Sequence, residues 1–207
     1  MSNVLLINGS PHINGCTATA LDIVAEELRR GNVNTETVHI GNKDIRGCIA
    51  CRKCKETGRC VFNDIVNELA PKFEQADGLV IGSPVYFAGP NGTLTNLLDR
   101  LFFSASYSLR MKVGAAVVSA RRAGTTAALD RLNKYFQLAE MPVASSRYWN
   151  MVHGNSAEEM MQDEEGVQIM RVLGRNMAFL VRAIAAERER RGLPETEPSR
   201  IATNFIR

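Results

Sequence analysis

"NVLLINGSPHINGCTATALDIVAEELRRG", residues 3 to 31, decides the fold. Its first part, "NVLLING" (3 to 9), is a short apolar run closed by glycine, the pattern of a parallel strand buried on both faces. After the turn "SPHINGC", residues 17 to 30 carry Leu21, Val24, Ala25 and Leu28 at the spacing of one helical face and stop at Arg30-Gly31. Strand, loop and helix in that order open a βαβ unit.

Outward from this stretch the alternation repeats. "NTETVHI" (34 to 40), "GLVIGSP" (78 to 84), "MKVGAAVVSA" (111 to 120) and "MPVASSRYWN" (141 to 150) read as four further strands. Helices are expected over about 63–73, 91–103, within 121–138 and over 166–191, the last with Met170, Leu173, Met177, Leu180, Val181 and Ile184 along one face. The pattern predicts an α/β fold: a doubly wound five-stranded parallel sheet with helices on both faces and right-handed crossovers. The nearest layout is the flavodoxin-like order 2-1-3-4-5, in which ligands bind outside the carboxyl ends of the strands. With no internal repeat and no low-complexity linker, one domain is expected over 1–207, with a four-cysteine loop at 47–60 and a C-terminal helix plus tail at 166–207.

Composition narrows the function classes. At 207 residues, 45% hydrophobic and 23% charged, the chain is long enough to bury a full core. No apolar run approaches the roughly twenty residues of a spanning helix. "MSNVLLINGSPHING" carries no basic leader or cleavage site, so a cytoplasmic protein away from membranes is expected. A net charge of +3 is too slight to predict a nucleic-acid partner. The one dense basic stretch, "AERERRGLPETEPSR" (186 to 200), is interleaved with glutamates and reads as a solvated helix end and tail.

Three loops lie at the expected carboxyl edge. "GSPHINGCT" (9 to 17) has neither a dinucleotide fingerprint nor a P-loop. It does offer the hydroxyls of Ser10 and Thr17, a close backbone approach at Gly15, and a helix start that favours an anion. Having no lysine, it suits a phosphate monoester held by neutral donors; the alternative is an ordinary turn capped by Thr17. "SPVYFAGPNGT" (83 to 93) is apolar and aromatic for an exposed turn, with Tyr86 and Phe87 as flat surfaces for a planar ligand or for a neighbouring helix or subunit. "SARRAGTT" (119 to 126) brings Ser119, Arg121, Arg122, Gly124 and a helix start capped by Thr125 or Thr126, donors suited to negative charge on a reduced ring.

"GCIACRKCKETGRC" (47 to 60) spaces Cys48, Cys51, Cys54 and Cys60 as C-x2-C-x2-C-x5-C. In a reducing compartment that points to metal or redox chemistry rather than a disulfide framework. The first three match the wrapping loop of a 4Fe-4S cluster, with Cys60 closing the fourth corner. Structural zinc more often uses two separated C-x2-C pairs, and reduced thiols or a reversible disulfide are the metal-free alternative. Lys53, Lys55 and Arg59 would offset thiolate charge. Cys16 stands apart at a helix start, where a thiol is either acidified or simply small enough to sit beside a phosphate. His39 ends a strand, His12 and His153 lie by the expected ligand edge, and Trp149 is expected to pack in the core by default, the alternatives being a subunit partner or the edge of the planar ligand.

"GSPHINGCT", "GSPVYFAGPNGTLTNLLDR", the "ARRAG" turn and the closing "PSRIATNFIR" resemble the flavodoxin-like NAD(P)H-dependent FMN reductases. The inserted cysteine stretch resembles their iron-sulfur flavoprotein branch. The resemblance spans nearly the whole chain and implies FMN. It assigns the phosphate to Ser10, Asn14, Gly15, Cys16 and Thr17, and the isoalloxazine to Pro84, Val85, Tyr86 and Phe87. Its pyrimidine side falls to Ser119, Arg121, Arg122, Ala123 and Gly124. The family more often has Asn or Ser where this chain has Cys16, which leaves backbone donors there. The resemblance also implies a 4Fe-4S cluster on the four cysteines.

The function expected is an FMN-dependent oxidoreductase passing electrons between cluster and flavin. NAD(P)H or ferredoxin is the donor, and a quinone, oxygen or peroxide the acceptor. The alternatives are a clusterless NAD(P)H-dependent FMN or quinone reductase, and a non-catalytic FMN-binding carrier or redox sensor. A homodimer or homotetramer is expected, because an edge-bound flavin and the aromatic loop would gain from a neighbouring subunit.

Overall fold

The computed structural model describes residues 2–197, 199, 201–203 and 205, so the closing "PSRIATNFIR" run lies partly outside the described residues. The first unit is β1 (Asn3–Asn8), α1 (Cys16–Arg30) and β2 (Asn34–His39). The cysteine stretch follows, with a single helical turn, α2 (Cys54–Thr57), inside it and α3 (Ile65–Gln75) after it. Next come β3 (Gly78–Tyr86), a two-residue β4 (Gly89–Pro90), α4 (Gly92–Ser104), β5 (Val113–Ala120) and α5 (Thr125–Leu138). β6 (Met151–His153), α6 (Ala157–Met160) and the long α7 (Glu164–Arg191) complete the order.

The sheet runs β2-β1-β3-β5-β6 with every neighbour parallel, and β4 folds back antiparallel on the end of β3. This is the expected 2-1-3-4-5 order once the small β4 is set aside. Alternate residues of each central strand feed two apolar layers. Val4, Leu6, Val80, Val113, Ala115 and Val117 pack with α1 and α7, while Leu5, Ile7, Leu79, Ile81, Ala116 and Val118 pack with α3, α4 and α5. A sheet covered on both sides leaves its strand ends as the open edge, and at the carboxyl ends that edge carries the loops of interest.

The expected fifth strand over 141–150 is corrected. Only Val143 bridges β5, at Gly114, and the paired strand is Met151–His153. Between them the chain turns to α7 instead: Ser146 Oγ donates to the Ile169 carbonyl at 2.7 Å, Asn176 Nδ2 to the Ser145 carbonyl at 2.8 Å, and Arg147 to Gln168 at 2.9 Å. At a sheet edge those side-chain bonds compete with a ladder that has only one partner strand. Trp149 is corrected as well: it is 55% exposed and tilted against Tyr148, with ring centroids 4.8 Å apart, rather than in the core. Among the described residues no helix is long and apolar enough to cross a membrane.

Candidate functional site

The loop after β1 is built from its own polar groups. Asn8, buried at the end of β1, accepts from Ser10 N at 3.0 Å; Ser10 Oγ accepts from His12 N at 3.1 Å; and His39 Nε2 lies 2.8 Å from the Ser10 carbonyl. These bonds fix the loop and aim it at the start of α1. There the alternative of a Thr17 cap is not found: Gly15 is the N-cap and no side chain caps the helix. Thr17 instead turns inward, its hydroxyl 2.8 Å from that of Ser119. A helix start without a side-chain cap leaves first-turn N–H groups for an anion, which fits a phosphate monoester.

Cys16 belongs to the same start but points away from it. Its thiol donates to the carbonyls of Ser156 at 3.2 Å and Gly154 at 3.4 Å, tying α1 to the turn after β6. Burial pushes the thiol pKa up, helped by Glu159 and Glu158 and opposed by a backbone hydrogen bond. The shift runs opposite to the acidification a helix start would favour. His12 is exposed in the loop, and His153 Nδ1 lies 3.6 Å from Asp163 at the end of β6.

The aromatic loop after the third strand is a hairpin. β3 continues through Pro84, Val85 and Tyr86 and pairs Val85 with Pro90 and Tyr86 with Gly89, leaving Phe87 and Ala88 as the two turn residues. Both have positive φ, 50° and 61°, as a type I′ turn requires, though neither is glycine. Each carries roughly 1–2 kcal/mol of strain in the left-handed region. The turn holds Phe87 fully exposed and Tyr86 half-exposed at the carboxyl edge. Ser83 braces it from below, accepting from Asn91 N at 2.9 Å and donating to the Pro84 carbonyl at 2.8 Å.

The third loop packs on this hairpin. Gly124 has φ 91°, and a Cβ there would meet Ala88 Cα at 2.8 Å and Val85 Cγ1 at 3.1 Å. Gly124 is also the N-cap of α5 with no side-chain cap, which corrects the expected Thr125 or Thr126. Arg121, Arg122 and Ala123 are exposed beside it. Ser10, Gly15, Thr17, Val85, Ser119 and Gly124 thus converge on one edge; Asn14 is exposed on the rim of the first loop. Two uncapped helix starts, exposed aromatic surface and a polar rim are features that a planar, phosphorylated ligand would use.

The cysteine stretch leaves the carboxyl end of β2 and lies along α4. Asn96, Arg100 and Phe103 form one side of that helix. Asn96 Nδ2 donates to the Ile45 carbonyl at 2.9 Å, and Lys55 Nζ donates to the Phe103 carbonyl at 2.9 Å while lying 4.6 Å from the centroid of its ring. Cys48 and Cys51 are exposed, Cys54 and Cys60 half-buried, and all four line one cavity of about 20 Å³, room for roughly one water. Among the described residues no three His, Cys, Asp or Glu side chains form a group able to hold a metal ion. The expected gathered four-thiolate set is therefore not formed in this conformation. Ala50 and Arg52 in this exposed loop are left-handed, φ 54° and 60°. The donor set itself fits a group ligated by thiolates: four cysteines line one cavity, with Arg52 and Arg100 in the same lining.

The family's sequence profile, described as NADPH-dependent FMN reductase, matches residues 2–156. The chain belongs to the NADPH-dependent FMN reductase family. Within it, the chain falls in the iron-sulfur flavoprotein branch. It is 33% identical over 193 residues to an iron-sulfur flavoprotein of Methanocaldococcus jannaschii, covering 87% of this chain and 98% of the relative. It is 28% identical over 200 residues to one of Archaeoglobus fulgidus, covering 90% and 98%. In fold it is similar to RosB, solved with a bound riboflavin-5'-phosphate intermediate (TM-score 0.72, 14% identity, 100% of this chain and 94% of that one). It is likewise similar to an archaeal flavodoxin (TM-score 0.59, 14% identity, 88% and 99%).

Several residues of this family member are not evident from its motifs. Asn8 and His39 brace the first loop, and Phe62, Asp64 and Arg100 brace the cysteine stretch. The one available signal is Arg100 itself, a charge set among Leu97, Leu98 and Leu101 on an apolar helix.

Proposed function

We propose that the chain is an FMN-dependent oxidoreductase that passes electrons between a 4Fe-4S cluster on Cys48, Cys51, Cys54 and Cys60 and an FMN at the carboxyl edge of the sheet. The observation that carries this reading is that the four cysteines line one cavity against α4, the helix launched by the hairpin of the proposed flavin seat. Arg100, at the cavity, is nine residues beyond Asn91, which at 1.5 Å per residue is roughly 14 Å along the helix. When bound, FMN supplies hydride and single-electron chemistry, and a cluster supplies single-electron transfer.

The chain's own residues do the rest. The α1 start and Ser10, Asn14, Gly15, Cys16 and Thr17 hold the phosphate, through backbone N–H groups at Cys16, since its thiol is engaged elsewhere. Pro84 to Phe87 line the ring, and Ser119 with Arg121 to Gly124 orient donors to its polar edge. NAD(P)H stacking on the open ring face, or a ferredoxin docking by the cysteines, is the donor. A quinone, oxygen or peroxide is the acceptor. The protein acts in the cytoplasm as one domain and as a homodimer or homotetramer, a partner subunit covering exposed Phe87.

Anaerobic purification with iron, sulfide and flavin assays tests this. The expected result is stoichiometric flavin with cluster iron and sulfide. Less than about one iron per chain at full flavin occupancy removes the cluster from the mechanism. A second reading, a clusterless NAD(P)H-dependent FMN or quinone reductase, is favoured by the open arrangement of the cysteines. Steady-state NADPH oxidation that persists at full rate without iron supports that reading instead.

A further inference from the structure

Arg100 is the largest of the fully buried side chains, 1% exposed in the middle of α4. A buried guanidinium needs its donors satisfied. Asp64, the N-cap residue of α3, takes two of them in a fork: Nη1 to Oδ2 at 2.7 Å and Nη2 to Oδ1 at 2.8 Å. Nη1 also donates to the Arg46 carbonyl at 3.2 Å. Nε has a sulfur partner instead, Cys60 Sγ at 3.3 Å. The Phe62 ring lies over the guanidinium with its centroid 4.9 Å from Cζ. Burial disfavours the charge, and the bonds to Asp64 and Cys60 outweigh it, holding the Arg100 pKa above its ordinary value.

The four cysteines are therefore unequal. Cys48 and Cys51 are exposed, and Cys54 has only a 4.0 Å approach to the Phe103 carbonyl. Cys60 alone among them is held by a charged donor, and that donor is clamped by a carboxylate on another helix. Its backbone is fixed too: Cys60 N donates to Asn67 Oδ1 at 3.0 Å, and Asn67 Nδ2 donates back to the Cys60 carbonyl at 3.0 Å.

We propose that Arg100, clamped by Asp64, is a positioning residue that presets the Cys60 sulfur as the anchor ligand, onto which the loop bearing Cys48, Cys51 and Cys54 closes when a metal group binds. This rests on the reading that the four cysteines are ligands. An N–H donor on a ligand sulfur also stabilises the more negative, reduced form of a cluster.

The probe is Co²⁺ added anaerobically, with reductant, to the metal-free, flavin-loaded chain and followed by sulfur-to-cobalt absorption. Arg100→Met is expected to weaken Co²⁺ binding about 10–100-fold, as loss of outer-shell partners generally does, and Arg100→Lys by less. In a Cys60→Ser background, Arg100→Met adds little further loss, because the sulfur it acts through is gone. A purely structural brace would cost the same in both backgrounds, and that result overturns the proposal. So does equal affinity in wild type and Arg100→Met, or no Co²⁺ binding by wild type. Flavin content and circular dichroism report folding; should Arg100→Met not fold, Arg100→Lys and its Cys60→Ser double carry the comparison. In protein reconstituted with iron and sulfide, the cluster potential shifts negative in the Arg100 variants while the flavin potential stays. Co²⁺ binding with this Arg100 dependence, but no uptake of iron and sulfide, sinks the cluster reading alone. A cluster whose affinity and potential ignore Arg100 sinks this inference alone.

Discussion

The hydroxyl oxygens of Thr17 and Ser119, 102 residues apart in the chain, lie 2.8 Å apart and buried between the first and third loops of the carboxyl edge. One hydroxyl donates and the other accepts, so each satisfies its partner where water does not reach. Thr17→Val or Ser119→Ala alone strands one hydroxyl and should cost about 1–3 kcal/mol in urea unfolding. The double variant should cost clearly less than the sum of the singles. Additive costs in that cycle would show that the pair is not coupled.

The contact between Gly124 and the Phe87–Ala88 turn is tight enough to test by one methyl group. Gly124→Ala faces a positive φ of 91° and a Cβ 2.8 Å from Ala88 Cα. Left-handed strain of roughly 1–2 kcal/mol and overpacking of roughly 1–3 kcal/mol both apply. The hairpin must move, so flavin affinity should fall more than 10-fold by fluorescence titration. Ala88→Gly relieves strain at φ 61° and should leave stability equal or higher. Unchanged flavin binding in Gly124→Ala would separate this turn from the proposed flavin seat.

Fold and site differed in how legible they were. Strands β1, β3 and β5 are apolar on both faces, with Gly9 closing β1 and Gly78 opening β3, so their sequence shows them directly, and with them the sheet order. The last strand misled because "MPVASSRYWN" has strand-like composition while its serines and arginine bond to α7, a partner set by tertiary packing. The helix starts misled for a related reason: Thr17 and Thr125 are good caps by type, yet Thr17 is drawn to Ser119 and the cap positions fall to Gly15 and Gly124. Motif spacing located the four cysteines. What braces Cys60 comes from Asp64 and Arg100, 36 residues apart from each other, and no local pattern links them.

Cys16 should be slow to react although it sits at a helix start. Burial raises its thiol pKa, so less thiolate is present near neutral pH than on an ordinary cysteine. Its share of stability is fully present below the ordinary thiol pKa and is lost as pH rises through the raised value. Timed iodoacetamide labelling of the metal-free chain at about pH 8, read by mass spectrometry, should modify Cys48 and Cys51 first and Cys16 late. Labelling of Cys16 as fast as Cys48 would contradict this.

Tyr107 gives the fold an alkaline sensitivity. Its hydroxyl donates to the Ala70 carbonyl at 2.9 Å, linking the segment after α4 to α3. Burial, with Glu74 adding to it, pushes the phenol pKa well above its ordinary value of 10.0. A raised pKa means the native state holds its proton more tightly, so this contribution is whole below about pH 10 and drains away as pH climbs toward the raised value. Tyr107→Phe should lose about 1 kcal/mol at pH 8 through the missing hydrogen bond. Having no proton to lose, it should then decline less than wild type, so the gap between their urea midpoints narrows by about pH 11. Tyr135, also raised by burial and by its bond to Asp99, remains in both proteins and titrates alike in each, so it cancels from that difference. A gap of constant size from pH 8 to pH 11 would mean that Tyr107 ionises no differently in the folded and unfolded chain.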